Sequence, residues 1–163
     1  MSSKKTVEIR PATPEDVPAV VQFIRDLATF EKLRDKCLVD EELLRKAAFG
    51  PRPYCEIVIP SVEGQVVGFA LFFHNYSTFT GKPGIYLEDL YVKEEARHFG
   101  VGTAVLKYLA RLAVERDCTR VDWQALDWNE NAINFYRKVG ARSLDDWITF
   151  RLDGDALLRY ASS

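Results

Sequence analysis

Between Ile85 and Val92 the apolar alternation of this chain slips by one residue. Ile85 and Leu87 stand two apart, Leu90 and Val92 stand two apart on the opposite phase, and Glu88-Asp89 lies at the slip. Successive side chains of a strand point to opposite faces. One extra residue at Glu88-Asp89 therefore predicts a β-bulge, a device that re-aims side chains and ends ladder pairing. Next comes Arg97-His-Phe-Gly-Val-Gly102, then a helix predicted from about Thr103 to Asp117, with Val105, Leu106, Leu109, Leu112 and Ala113 on one face. Gly100 and Gly102 lack a Cβ, so both are free to take positive φ and to admit a ligand close to the backbone. The first turn of the helix offers free N–H groups and the positive end of its dipole, which suits a phosphate or pyrophosphate. Arg97 adds a cation that can fork onto phosphate oxygens. A plain βα connection would leave the same short signature, so the glycines alone leave both readings open.

Two common phosphate binders fail on the residues. A P-loop requires Gly-Lys-Ser/Thr, whereas Thr103-Ala104 follows Gly102. A dinucleotide fold wants a third glycine and a second βα repeat, and position 105 is Val with no such repeat downstream. A third arrangement fits. Arg97-x-x-Gly-x-Gly102, with its strand before and helix after, resembles the pyrophosphate segment of the GCN5-related N-acetyltransferases (GNAT). Ile9-Arg-Pro-Ala-Thr13 resembles the first strand and helix entry of that family, and Leu126-Asp-Trp-Asn-Glu-Asn-Ala-Ile-Asn-Phe-Tyr-Arg-Lys-Val-Gly-Ala141 its last strand-to-helix segment. The resemblance spans about residues 7 to 153. Tyr86-Leu-Glu-Asp89, Trp128-Asn-Glu130 and Asn134-Phe-Tyr136 are similar to the spermidine/spermine (diamine) branch and its thialysine-acetylating relatives.

The resemblance implies an α/β (α+β) GNAT fold. Its sheet is mixed, mostly antiparallel and twisted, with one splayed parallel strand pair and helices on both faces. At 163 residues and 47% hydrophobic content the chain reads as one acetyltransferase domain, 1–163, with a real core. A formal charge of −2 gives no nucleic-acid field. Cys37, Cys55 and Cys118 and the two His have no metal-ligand spacing, and an odd, scattered thiol count predicts a reducing, cytoplasmic setting. No apolar run approaches the roughly 18 residues of a membrane span. Met-Ser-Ser-Lys-Lys at the start is too short for a signal peptide.

In chain order, Thr6–Arg10 predicts a strand, and Thr13, Pro14 and Asp16 open a helix carrying Val17, Val20, Val21, Ile24, Leu27 and Ala28 to near Phe30-Glu31. Asp40 caps a second helix that stops at Gly50. Runs at Pro53–Ser61 and Gln65–Phe73 form a hairpin about Glu63-Gly64. The link Tyr76–Gly84 is either a wide hairpin or a loop reaching the acceptor site. Thr119–Leu126 predicts a strand parallel to Leu87–Val92. Asn129 caps a last helix with Ala132, Ile133, Tyr136 and Val139 on one side and Gly140 at its end, and Asp146–Leu152 predicts a final strand before a polar tail.

The chemistry implied by the resemblance is acetyl transfer from acetyl-CoA, with no metal, to a primary amine of a small cationic acceptor: a polyamine, a diamine or a thialysine/lysine-like amine. A bulge would open the parallel pair and free backbone groups for the amide-bearing arm of acetyl-CoA. The cofactor set is Leu90, Tyr91 and Val92, then Arg97, His98, Phe99, Gly100, Val101, Gly102 and Thr103, and Asn129, Glu130, Asn131 and Ala132 on the last helix. A free alkylamine has a pKa near 10, so only about one molecule in a thousand is nucleophilic at neutral pH and a base must collect the proton. Glu88 is the candidate base, through a water, and Tyr136 the acid that protonates the departing sulfur; periodicity alone would read Tyr136 as a core tyrosine. Phe30, Glu31, Glu88, Asp89, Asp122, Trp123 and Gln124 form the expected acceptor site. A homodimer is implied, with no nucleic-acid or membrane partner. Acetylation of a protein N-terminus or lysine, and a non-catalytic acyl-CoA-binding module, are the competing functions.

Overall fold

The computed structural model describes residues 5–163; the first four, part of the segment read above as too short for a signal peptide, lie outside it. Two compact units emerge, one ending at Gln124 and one running Ala125–Ser163.

The first unit is a six-stranded sheet with helices on both faces. Strand β1 (Val7–Pro11) leads to a 3-10 turn at Pro14–Asp16 and helix α1 (Val17–Phe30); α2 follows (Glu41–Phe49). The Asp16 carboxylate accepts the Thr13 backbone N–H at 2.8 Å and the Arg10 guanidinium at 2.8 and 2.9 Å, so one side chain ends the strand and starts the helix. Asp40 caps α2 as its sequence predicts, accepting from the Leu43 N–H at 2.8 Å. Strands β2 (Glu56–Val62), β3 (Gln65–Val66), β4 (Gly68–Ser77) and β5 (Lys82–Val92) are antiparallel, and helix α3 (Val101–Glu115) leads to β6 (Val121–Trp123), parallel to β5. The strand order is β1-β2-β4-β5-β6, with β3 paired to β2. Glu63 and Gly64 both take positive φ, 52° and 78°, the backbone a two-residue hairpin demands.

Alternation along β2 sorts the core into two layers. Val58 joins Ala70, Phe72, Ile85, Leu87 and the buried α3 face (Val101, Val105, Leu109, Ala113). Ile57 and Ile59 join Phe69, Leu44 and the α1 face (Val17, Val20, Val21, Phe23). Phe23, absent from the predicted α1 stripe, is buried and stacks on Phe69 at 6.3 Å between ring centroids. The strands β4 and β5 approach closely at Gly68, where a Cβ would lie 2.0 Å from the Tyr91 carbonyl oxygen. The link Tyr76–Gly84 is a tight hairpin, since Ser77 pairs with Lys82.

In the second unit α4 (Glu130–Lys138) ends at Gly140, φ 95°, and α5 spans Gly154–Ala161. One expectation fails here. The segment 146–152 forms no strand, and the tail after it carries α5. A period-two pattern becomes a strand only beside an edge that takes up its backbone groups, and Trp147, Ile148 and Phe150 stand exposed instead.

Candidate active site

The bulge lies where the phase slip places it. Across the β4–β5 ladder Leu71 pairs with Asp89 and Phe72 with Leu87, so Glu88 has no rung. The extra residue restores the phase: Ile85, Leu87, Leu90 and Val92 all pack into the α3-side core. The same residue ends the second ladder. β6 pairs with Ile85, Tyr86 and Leu87 and goes no further, so β6 is three residues long where eight were expected from Thr119–Leu126.

Past the bulge the backbone phase follows from one bond. The Lys93 N–H donates to the Val67 carbonyl at 2.7 Å, toward β4. Alternation then turns the Leu90 and Val92 N–H and C=O groups to the opposite edge. The Val92 carbonyl does point there, and accepts from Arg97 Nε at 2.9 Å. Among the described residues of the first unit, no strand pairs with this stretch of edge. Two N–H groups spaced two residues apart are what an extended, amide-bearing ligand pairs with.

Three carboxylates gather by the bulge. Asp89 is half-buried, and its carboxyl is pushed up to about 6, first by burial, then by the charges of Glu88 and Glu31. Burial also raises the Glu31 carboxyl, at the C-terminal end of α1. Glu88 itself is exposed. Sequence reading placed the proton-handling role on Glu88 alone; the strongly tuned group is Asp89, and the two-residue gap between Leu87 and Leu90 was the signal that both acids share the site. Asp122 is differently engaged. It is paired with Arg120 Nε at 3.0 Å and accepts from Asn75 Nδ2 at 3.2 Å, so a cation already compensates its charge. Trp123 packs against the α3-side core, and Gln124 is exposed at the end of this unit.

The glycine turn differs in detail from expectation. Residues Glu94–Phe99 form a 3-10 segment, with His98 exposed and Phe99 under the Lys5 ammonium at 4.4 Å. Gly100 is left-handed, φ 74° and ψ 25°, and caps α3. Gly102 is already helical and needs no positive φ. The Ala104 N–H bonds the Gly100 carbonyl at 3.0 Å, so the N–H groups of Val101, Gly102 and Thr103 precede the first intrahelical bond. A Cβ on Gly100, the residue that caps α3, would meet nothing within 4 Å.

Arg97 turns back from that turn. Besides its bond to Val92, its guanidinium lies 5.3 Å from the Phe30 ring and 5.8 Å from the Tyr91 ring. An open cavity of about 320 Å³ lies beside it, lined by Asp26, Thr29, Phe30, Tyr91, Glu94 and Arg97.

In the second unit Asn129 Oδ1 caps α4 by accepting from the Ala132 N–H at 3.4 Å. Glu130 and Asn131 are exposed on the first turn, and the Tyr136 ring lies 5.5 Å from Phe135. The first unit thus brings Phe30, Glu31, Glu88, Asp89, Tyr91, Val92 and Arg97 to one region, while Asn129, Glu130, Asn131, Ala132 and Tyr136 belong to the second. Among the described residues no group of His, Cys, Asp and Glu is arranged to hold a metal ion. No helix there is long and apolar enough to cross a membrane.

Residues 21–141 match the acetyltransferase (GNAT) family. The chain is 36% identical to the thialysine N-epsilon-acetyltransferase of Sus scrofa, over 96% of this chain and 98% of that protein. It is 32% identical to the L-ornithine N5-acetyltransferase of Arabidopsis thaliana, over 91% and 85%. Among solved structures, an integron cassette protein of V. cholerae superposes with a TM-score of 0.82 at 26% identity, over 96% of this chain and 98% of that one. The chain therefore belongs to the GNAT family and is an N-acetyltransferase. Acetyltransferases of this family use acetyl-CoA.

Proposed function

We propose that this enzyme transfers acetyl from acetyl-CoA to a primary amine of a small cationic acceptor, by direct attack in a ternary complex. A polyamine, a diamine or a thialysine/lysine-like amine is the acceptor class. The observation that carries the reading is the unpaired Glu88, which sets two carboxylates beside Glu31 and leaves the Leu90–Val92 edge open. That edge, with Tyr91 between its two donors, and the first-turn donors of α3 fit the amide-bearing and phosphate-bearing parts of acetyl-CoA. His98, Phe99, Gly100, Val101, Gly102 and Thr103 would hold the pyrophosphate. Asn129, Glu130, Asn131 and Ala132 are assigned to the same ligand from the second unit. When bound, acetyl-CoA supplies an acyl group activated as a thioester.

The chain's own groups handle the protons. A carboxylate next to an ammonium favours the charged amine, which opposes attack. A carboxyl whose pKa is about 6 eases that conflict, since it takes up and releases a proton near neutrality. Asp89 and Glu88 together hold the acceptor and draw its proton off, through a water where Glu88 is concerned. The Leu90 and Val92 N–H groups face the position of the developing oxyanion. Tyr136 Oη gives a proton to the leaving sulfur. The named activities of the porcine and Arabidopsis relatives, on thialysine and ornithine, support an amine acceptor. We further propose a cytoplasmic homodimer, with Cys37, Cys55 and Cys118 as free thiols.

A thiol-release assay with acetyl-CoA and spermidine, putrescine, thialysine or lysine tests the reading. Turnover on at least one supports it. Tight acetyl-CoA binding without turnover on any would overturn it in favour of a binding module.

A further inference from the structure

The Val92 carbonyl has two claimants. It lies on the β5 edge whose groups suit an extended, amide-bearing ligand, and Arg97 Nε donates to it at 2.9 Å. That is the separation a paired strand's amide would take. The same guanidinium lies 5.3 Å from the ring of Phe30, the last residue of α1, and 5.8 Å from the Tyr91 ring on β5. One exposed side chain therefore fastens the edge to the end of α1. Glu31, the next residue after Phe30, acts on Asp89.

These contacts are of a kind that can be exchanged. A neutral carbonyl and two ring faces hold a guanidinium less firmly than phosphate oxygens, which take it as a charge-assisted fork. The natural place for phosphate oxygens is near in sequence. The N–H groups of Val101, Gly102 and Thr103 open α3 just past the 3-10 segment that carries Arg97.

We propose that Arg97 is a latch on the acetyl-CoA site: it closes the Val92 carbonyl and holds the end of α1, and it lets go of both when its guanidinium turns to the pyrophosphate. The inference rests on the acetyl-transfer reading above and deepens it. One side chain then couples the two halves of the cofactor site. Turning Arg97 toward phosphate frees the carbonyl that the amide-bearing arm needs, so each half of the ligand raises the affinity for the other. Phe30 gives up its cation in the same turn, which frees the wall beside Asp89 to settle around an acceptor.

The test divides the cofactor into S-acetylpantetheine, which has the arm and no phosphate, and inorganic pyrophosphate, and reads binding by calorimetric titration. In the wild type, saturating pyrophosphate should tighten S-acetylpantetheine binding by about fivefold or more. Arg97→Ala, a change at an exposed position, should bind S-acetylpantetheine alone more tightly than the wild type by a similar factor. Pyrophosphate should add nothing there, and intact acetyl-CoA should bind more weakly because a phosphate contact is gone. A carbonyl oxygen has two lone pairs, so an arm that binds beside Arg97 without moving it would show no coupling. S-acetylpantetheine affinity indifferent to pyrophosphate in the wild type would therefore overturn the latch while leaving acetyl transfer standing. An Arg97→Ala variant that binds S-acetylpantetheine no better than the wild type would also overturn it, and would leave Arg97 a plain phosphate ligand. Failure of the wild type to bind acetyl-CoA at all would instead overturn the functional reading, and this inference with it.

Discussion

Asp89 sits opposite Leu71 in the β4–β5 ladder, while Glu88 beside it in sequence sits opposite nothing. That single unpaired residue does three things. It returns Leu90 and Val92 to the core face, it coincides with the end of the β5–β6 ladder, and it sets two carboxylates next to each other.

The first prediction concerns stability and pH, where Asp16 and Asp89 act with opposite sign. Arg10, and then the Thr13 N–H, lower the Asp16 carboxyl from 3.8 to about 2 despite partial burial. Its folded-state pKa is depressed, so its stabilisation is present above about pH 4 and is lost as pH falls through about 2. Asp16→Ala should cost about 1–2 kcal/mol at pH 7 and much less at pH 2. Asp89 is raised from 3.8 to about 6, so the folded state retains the proton longer and stability falls as pH rises from about 4 to 6. Asp89→Asn should therefore stabilise the protein at pH 8, by about 1–3 kcal/mol, and should be near neutral at pH 4. Thermal unfolding at the four pH values checks both, with a shift of a few degrees for each kcal/mol.

Gly68→Ala should cost about 3 kcal/mol or more, because a Cβ 2.0 Å from the Tyr91 carbonyl can be relieved only by moving β5 backbone next to the bulge. Denaturant unfolding measures the loss. A cost below about 0.5 kcal/mol, the scale of a neutral surface change, would show that the two strands are not held this close.

Gly100→Ala presents the opposite case. A Cβ there meets no atom within 4 Å, so the penalty is the left-handed backbone alone, about 1–2 kcal/mol. The methyl would stand on the residue that caps α3, next in sequence to its first-turn donors. Acetyl-CoA affinity should fall by about tenfold or more, beyond what the modest loss of stability explains; calorimetric titration reads it directly.

Tyr136→Phe removes only the phenolic oxygen. If that oxygen supplies the proton to the leaving sulfur, kcat should drop by about a hundredfold or more while the acetyl-CoA Kd stays put. Unchanged turnover would remove Tyr136 from the chemistry and return it to a packing role against Phe135.

Much of this site was readable before any coordinates. The bulge followed from the gap between Leu87 and Leu90, and the caps at Thr13-Asp16, Asp40 and Asn129 followed from side chains that accept backbone N–H groups over a few residues. These are local effects, set by the chain within one or two turns. The failures involve distant partners. The segment 146–152 has a strand pattern, yet a pattern cannot supply an edge to pair with. Asp122 is paired with Arg120, two residues before it, and accepts from Asn75 on β4, a contact across strands that its own segment does not announce. The motif gives the position of Arg97 and not the direction of its side chain; its guanidinium bonds the Val92 carbonyl and lies over two rings. Gly102 needed no special backbone because the 3-10 segment brings the chain to the helix one glycine earlier.

The central claim is that the bulge makes Asp89 the proton-handling carboxyl. The pH dependence of kcat/KM, measured side by side for the wild type and Asp89→Asn with one turned-over amine, tests it most directly. The wild type should lose activity as pH falls through about 6, where Asp89 takes up its proton. The variant should be slower by about a hundredfold or more and should lack that inflection. An acid limb near pH 6 that persists unchanged in Asp89→Asn would contradict the account.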